Sequence, residues 1–181
     1  MNLLREYIRE LLTERSGMRV AEDLPDGIVI TVEDFGKTAE IYYDSTSEPG
    51  STDIYPFGRI IIDAPWPADD CDNAWNVTRA DADDGWGPLL YDIAIEWATQ
   101  NANGLMSDRA AVDEEAINVW DKYISLGRAT AHQVGDESCD QDVAKEDKGK
   151  QRWKESSLSK RYTRSPTTID ALKAAGRWNE R

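Results

Sequence analysis

The sequence predicts an α/β (α+β) fold in which several short strands precede helices that alternate with further strands. Three observations predict it. Segments between residues 28 and 79 are β-branched or alternate apolar with polar residues; apolar residues recur at helical spacing from Pro88 to Thr99 and again after Asp113; glycine and proline punctuate the boundaries.

The opening Met1–Glu14 predicts an amphipathic helix, with Leu3, Leu4, Tyr7, Ile8, Leu11 and Leu12 on one stripe and Glu6 and Arg9 able to pair on the polar side. Residues 15–26 read as a linker, with Gly17 and Pro25 as breakers. A core follows over 27–134. Ile28–Glu33 and Thr38–Asp44 are strands joined by the turn Asp34–Lys37, Ser45–Pro56 is a loop, and Arg59–Asp63 and Ala74–Arg79 are two more strands. Asp81–Gly87 is an acidic turn. Pro88 suits the first position of a helix whose apolar face is Leu89, Leu90, Ile93, Ile95 and Trp97. Gly104–Asp108 is a short strand. Asp113 caps a second helix with Glu114 and Glu115 in its first turn and Ala116, Val119, Trp120, Tyr123 and Ile124 inward. Ala129–Val134 is a further strand, and 135–152 a charged loop. Residues 153–181 hold a last strand, Leu158–Thr163, and a helix capped by Thr167 or Thr168 and stopped by Gly176. The large tryptophans Trp75, Trp97 and Trp120 are expected in the core.

With 181 residues, 40% of them apolar, the chain supports one domain with a moderate core and appendages. The net charge of −14 is unevenly spread: residues 1–147 carry 32 acids against 11 bases, and residues 148–181 carry 10 bases against three acids. The acidic body repels phosphate and excludes nucleic-acid binding through it, and it favours basic partners or a basic C-terminal tail folded back onto the body. No run approaches about 18 apolar residues and no signal-type segment opens the chain, so no membrane span and a cytoplasmic location are expected. Cys71 and Cys139 lack a CxxC context and read as free thiols. His132 is the sole histidine, which removes paired-histidine metal sites and makes no metal expected.

The order strands, glycine turn, helix, strand, helix, strand pair, together with Asp84-Gly85-Trp86-Gly87-Pro88-Leu89-Leu90-Tyr91-Asp92, resembles the GNAT family of acyl-CoA N-acyltransferases. That family places Q/R-x-x-G-x-G/A between its fourth strand and the next helix, where glycines let the backbone approach the coenzyme A pyrophosphate and helix-start amides donate to it. Gly85 and Gly87 match, and Asp113–Tyr123 resembles the family's following N-x-x-A helix. The resemblance implies a mixed, mostly antiparallel sheet flanked by helices, and acetyl-CoA as cofactor. It implies a coenzyme site at Trp75, Val77, Gly85, Trp86 and Gly87, with Tyr91 or Tyr123 as the acid that protonates the leaving thiolate. The chain departs from the pattern at Ala82, in place of Q/R, at the acids Asp81, Asp83 and Asp84, at Pro88, which removes one amide donor, and at Trp120, where the family has its tyrosine.

Residues 1–14 also resemble headers shared by proteins of large marine tailed phages, with Leu12-Thr13-Glu14 fitting a maturation-protease context. This second resemblance implies docking on phage scaffold or capsid proteins, packaging in the virion, and cleavage after Glu14. Three functions follow as expectations: acyl transfer from acyl-CoA to an amine in the host cytoplasm; a non-catalytic virion or interaction protein on the same scaffold; an acidic anti-defence mimic.

Overall fold

The computed structural model of the chain describes residues 18–46, 55–65, 70–107, 114–134, 139 and 156–181. The N-terminal helix, the Asp113 cap and the charged 135–152 loop (Cys139 apart) therefore lie outside the described residues. The described elements are β1 (Ile28–Asp34), β2 (Thr38–Ser45), β3 (Gly58–Asp63), β4 (Trp75–Ala82), α1 (Gly87–Asn101), β5 (Leu105–Ser107), α2 (Glu114–Ser125), β6 (Thr130–Gln133), β7 (Lys160–Thr163), α3 (Thr167–Ala174) and β8 (Trp178–Glu180). The expected strand and helix positions hold closely. β4 runs on into the expected acidic turn, because Asp81 and Ala82 still pair with Arg59 and Gly58.

One eight-stranded, mostly antiparallel sheet has the order β6-β7-β5-β4-β3-β2-β1-β8. β1 to β4 form an antiparallel meander; among the described residues β4 and β5 pair in parallel at Trp75–Leu105, Asn76–Met106 and Val77–Ser107. β4 carries a bulge opposite Ile61 and Ile62, a feature that bends a strand and re-aims its side chains. β5 opens on Gly104 at φ +104, where a Cβ would stand 2.3 Å from the Tyr162 carbonyl oxygen. Only glycine permits that approach of β5 to β7.

Alternation in the strands divides the sheet's two faces. Ile30, Val32, Ile41, Tyr43, Ile60, Ile62, Trp75, Val77, Leu105 and Tyr162 belong to one core, and the three described α-helices put side chains into it. α1 is central: every residue from Leu89 to Ala98 is buried, including Asp92 and Glu96. Trp97 and Trp120 are fully buried, and Trp75 packs edge-on against Trp97 at 5.0 Å, as expected of core tryptophans. The second face carries a smaller cluster of Cys71, Ala74, Met106, Val134 and Cys139 and, across β1 to β4, a polar ladder.

Two expectations are corrected. Cys71 and Cys139 are joined in a disulfide: the turn preceding β4 brings together two cysteines 68 residues apart, a proximity invisible in their spacing. That turn holds three successive left-handed residues, Cys71, Asp72 and Asn73, tied further by the Asn103 side chain donating to the Asp72 carbonyl at 2.7 Å. The N-terminus of α3 is capped by neither Thr167 nor Thr168. The Glu96 carboxylate from α1 accepts from the Thr168 amide at 2.9 Å, the Ile169 amide at 2.8 Å and the Thr167 hydroxyl at 3.3 Å. At the other end Gly176 is the stop expected: its amide donates to Lys173 and that of Arg177 to Leu172, a Schellman arrangement.

The chain then adds β8 beside β1, a strand absent from the sequence reading. Arg177 donates to the carbonyls of Pro25 and Ile28, and Arg181 lies 3.6 Å from Glu33 and 3.9 Å from Asp44. The basic C-terminal residues thus lie against acids of the body. Among the described residues no helix is long and apolar enough to cross a membrane.

Glu96 is fully buried, and its loss would strand both the α3 amides and the Arg164 guanidinium, 3.2 Å from its carboxylate. Glu96→Ala is expected to cost about 3–5 kcal/mol, the range for breaking a buried ion pair by removing one partner. Glu96→Gln, which keeps an acceptor, should cost less. Urea unfolding of the two variants checks the order; equal stability of wild type and Glu96→Ala would refute it.

Candidate functional site

The glycine turn forms where β4 ends and α1 begins. The Asp83 amide donates to the Phe57 carbonyl at 3.2 Å, and the Trp86 amide to the Asp83 carbonyl at 3.0 Å. Gly85 adopts φ +84, a left-handed conformation that suits glycine. Pro88 stands in the first turn of α1, and the amides of Gly87 and Leu89 precede the first intrahelical hydrogen bond, where a helix offers donors and a positive dipole end. A Cβ on Gly87 would meet only the Ala82 side chain at 3.7 Å, so this second glycine is not required by packing. Asp83 and Asp84 are exposed, and Asp81 is ion-paired with Arg79.

Trp86 is 8% exposed and turns inward from the turn. Its indole stacks on Phe57 at 4.7 Å and meets Tyr43 edge-on at 5.5 Å, while the Tyr43 hydroxyl donates to the Trp86 carbonyl at 2.7 Å. The segment Met18–Val20 crosses the outside: the Arg19 amide donates to the Gly85 carbonyl at 2.9 Å and its guanidinium lies 5.6 Å from the Trp86 ring. Trp75 and Val77 lie on the same strand as the turn, on the face toward α1, paired with Leu105 and Ser107 of β5. The structure therefore brings Gly85, Trp86 and Gly87 together at one end of β4, while Trp75 and Val77 are buried in the main core.

The two tyrosines meet Trp120 in one aromatic cluster. The Tyr91 ring lies 5.5 Å from Trp120 and 6.4 Å from Tyr123, and Trp120 stacks on Tyr162 at 4.7 Å. The Tyr123 hydroxyl lies 2.5 Å from Asp92 Oδ1 and 3.1 Å from the Pro88 carbonyl. Burial pushes its pKa well above the ordinary value, and the adjacent Asp92 charge adds to the shift.

Asp92 closes the motif Asp84–Asp92, and the sequence assigned it no role. It is 3% exposed and is ion-paired with both Arg128, from the α2–β6 turn, and Arg164, at the end of β7. Asp92 and Glu96, one helical turn apart, thus share Arg164 and join α1 to β7, α3 and the start of β6. The signal was available as two carboxylates at i, i+4 inside a helix otherwise apolar around its circumference, a spacing that places both on one side. A recess of about 180 Å³ borders the network, lined by Val20, Leu89, Asp92, Arg128, Arg164 and Thr168. Among the described residues no group of three or more His, Cys, Asp or Glu could hold a metal ion.

Burial also raises the pKa of Tyr43 and Tyr162, with Asp92 and Asp121 respectively contributing, and that of Tyr42, whose hydroxyl donates to Glu33. A folded pKa above the unfolded one means that this stability is complete below pH 10 and is lost as pH rises, when the unfolded chain releases protons that the folded chain retains. Tyr43 and Tyr162, the more deeply buried, should each lower stability by about 1.4 kcal/mol per pH unit above 10. Phenolate absorbance at 295 nm should then appear together with unfolding; full ionisation near pH 10 in the folded protein would contradict the burial.

No family model matches the chain, and no curated protein or solved structure is similar to it.

Proposed function

We propose that the chain is a GNAT-like N-acyltransferase that moves an acyl group from acyl-CoA to an amine. The observation that carries this reading is the junction of β4 and α1: a glycine turn delivers a helix N-terminus to the end of β4, the strand that pairs in parallel with β5. The pyrophosphate would lie against the amides of Gly87 and Leu89, and the pantetheine arm along β4 beside Trp75 and Val77. The element order, four strands, turn, helix, strand, helix, strand pair, follows the plan of that family and supports the same reading.

In the reaction the amine nitrogen attacks the thioester carbonyl, the C–N bond forms, the C–S bond breaks, and the thiolate takes a proton. Tyr123 serves structure: its hydroxyl is engaged by Asp92 and Pro88, and its raised pKa makes it a poor proton source. On this reading the donor role passes to Tyr91, whose ring is 6% exposed and lies 5.5 Å from Trp120. Trp120 cannot donate to a thiolate from its buried place in the aromatic cluster.

A second reading, a non-catalytic virion or interaction protein of a tailed phage, is favoured by the contact of Arg19 with Gly85 and Trp86. The protein's own backbone lies across the turn that would receive the coenzyme. On this reading residues 1–14 dock the chain on phage scaffold or capsid proteins and are cut after Glu14.

Acetyl-CoA at about 100 times its Kd should raise stability by about 2.7 kcal/mol, read as a rise in Tm. Asp83→Lys and Asp84→Lys should each tighten binding severalfold, since both sites are exposed and their acids oppose a pyrophosphate. Turnover should fall with Tyr91→Phe. No Tm change at millimolar acetyl-CoA, in wild type and both lysine variants, would remove the transferase reading and leave the second.

A further inference from the structure

We propose that the second face of the sheet holds a site for a primary ammonium group, centred on Asn76 and Asp63. Asn76 is 6% exposed, yet its Oδ1 has no hydrogen-bond partner. Its neighbours Trp75 and Val77 enter the main core, so the pleat turns Asn76 to the opposite face. There its cross-strand partners are Asp63 on β3 and Met106 on β5. Asp63 receives the Thr38 hydroxyl at 2.7 Å on one oxygen, which leaves a carboxylate with capacity for further donors beside an amide oxygen without one.

The surroundings select a cation. Along the same face the next row of the ladder is Glu33–Glu40–Ile61, about 6.6 Å from the Asp63 row at two residues per step. Glu40 is paired with Arg59 at 2.7 Å; Glu33 accepts from the Tyr42 hydroxyl at 2.9 Å and lies 3.6 Å from Arg181. With Asp44 and Asp81, five acids stand against the three arginines Arg59, Arg79 and Arg181, so the described face keeps negative charge after its internal pairs are made. An ammonium group has three donors and no acceptor. It satisfies Asn76 Oδ1, is neutralised by Asp63, and can carry a second cationic group toward the Glu33–Glu40 row. A buried acceptor without a donor is unfavourable, and such a ligand relieves that cost on binding. This site does not rest on the acyl-CoA reading. If that reading holds as well, the bound amine, once deprotonated, is the acceptor.

The test is a titration of the full-length protein with 1,4-diaminobutane, with 1,4-butanediol as the uncharged control. Heat and the Asn76 side-chain amide resonances are followed without acyl-CoA. The diamine should bind saturably and move the Asn76 resonances, and the diol should do neither. Asn76→Leu should abolish binding with Tm unchanged or raised, because it removes an unsatisfied acceptor. Asp63→Asn should weaken binding at least tenfold. Equal response to the diol, binding unaltered in both variants, or still Asn76 resonances combined with a lower Tm for Asn76→Leu would overturn the proposal. Absence of acyl-CoA binding would leave it intact.

Discussion

Two carboxylates on one helix organise this molecule. Asp92 and Glu96 occupy the most buried stretch of α1, where an uncompensated charge would cost several kcal/mol. Their compensation comes from four separate places: Arg128 in the α2–β6 turn, Arg164 after β7, Tyr123 on α2 and the amides at the start of α3. Burying α1 is thus inseparable from bringing the C-terminal third of the chain onto it. Once α3 is anchored by Glu96, the Schellman turn at Gly176 sends β8 alongside β1, at the far edge of the sheet. Apolar burial supplies the drive for collapse, but it is non-directional. The charge network gives the packing its register.

The same network limits what the aromatic cluster can do. Tyr123 is held by Asp92 and cannot also serve a substrate, and Trp120 fills the space between α1 and β7. The two proposed sites lie outside the network: the turn Gly85–Gly87 at one end of β4, and the opposite face around Asn76. Both belong to β4, the strand that bulges at mid-length and pairs in parallel with β5.

Much of this was legible from pattern. β-branched runs and glycine or proline breaks located β1 to β4, because strand signals are local, and Pro88 with its apolar face located α1. Gly176 announced the end of α3 because a left-handed stop is nearly specific to glycine. What escaped was long-range. Thr167 and Thr168 looked like caps, and only the fold could show that a carboxylate 71 residues earlier takes that role. Cys71 and Cys139 carried no spacing signal, since their meeting depends on a left-handed turn before β4. β8 is three residues with no alternation to read. Of the site residues, Gly85 and Gly87 were found through their turn and Trp75 as a strand aromatic. Asp92, Arg128 and Arg164 were missed, as charged residues in an acidic chain give no sign of being buried.

The central claim is that the β4–α1 junction receives the coenzyme. Its most direct test is an amide-resolved titration of the isotopically labelled protein with coenzyme A. The account predicts that the amides of Gly85, Gly87 and Leu89 shift first, joined by the paired Val77 and Ser107 of β4 and β5, with α3 and β8 unmoved. Resonances at Gly85 to Leu89 that stay still at saturating coenzyme A, or shifts confined to other surfaces, would contradict it.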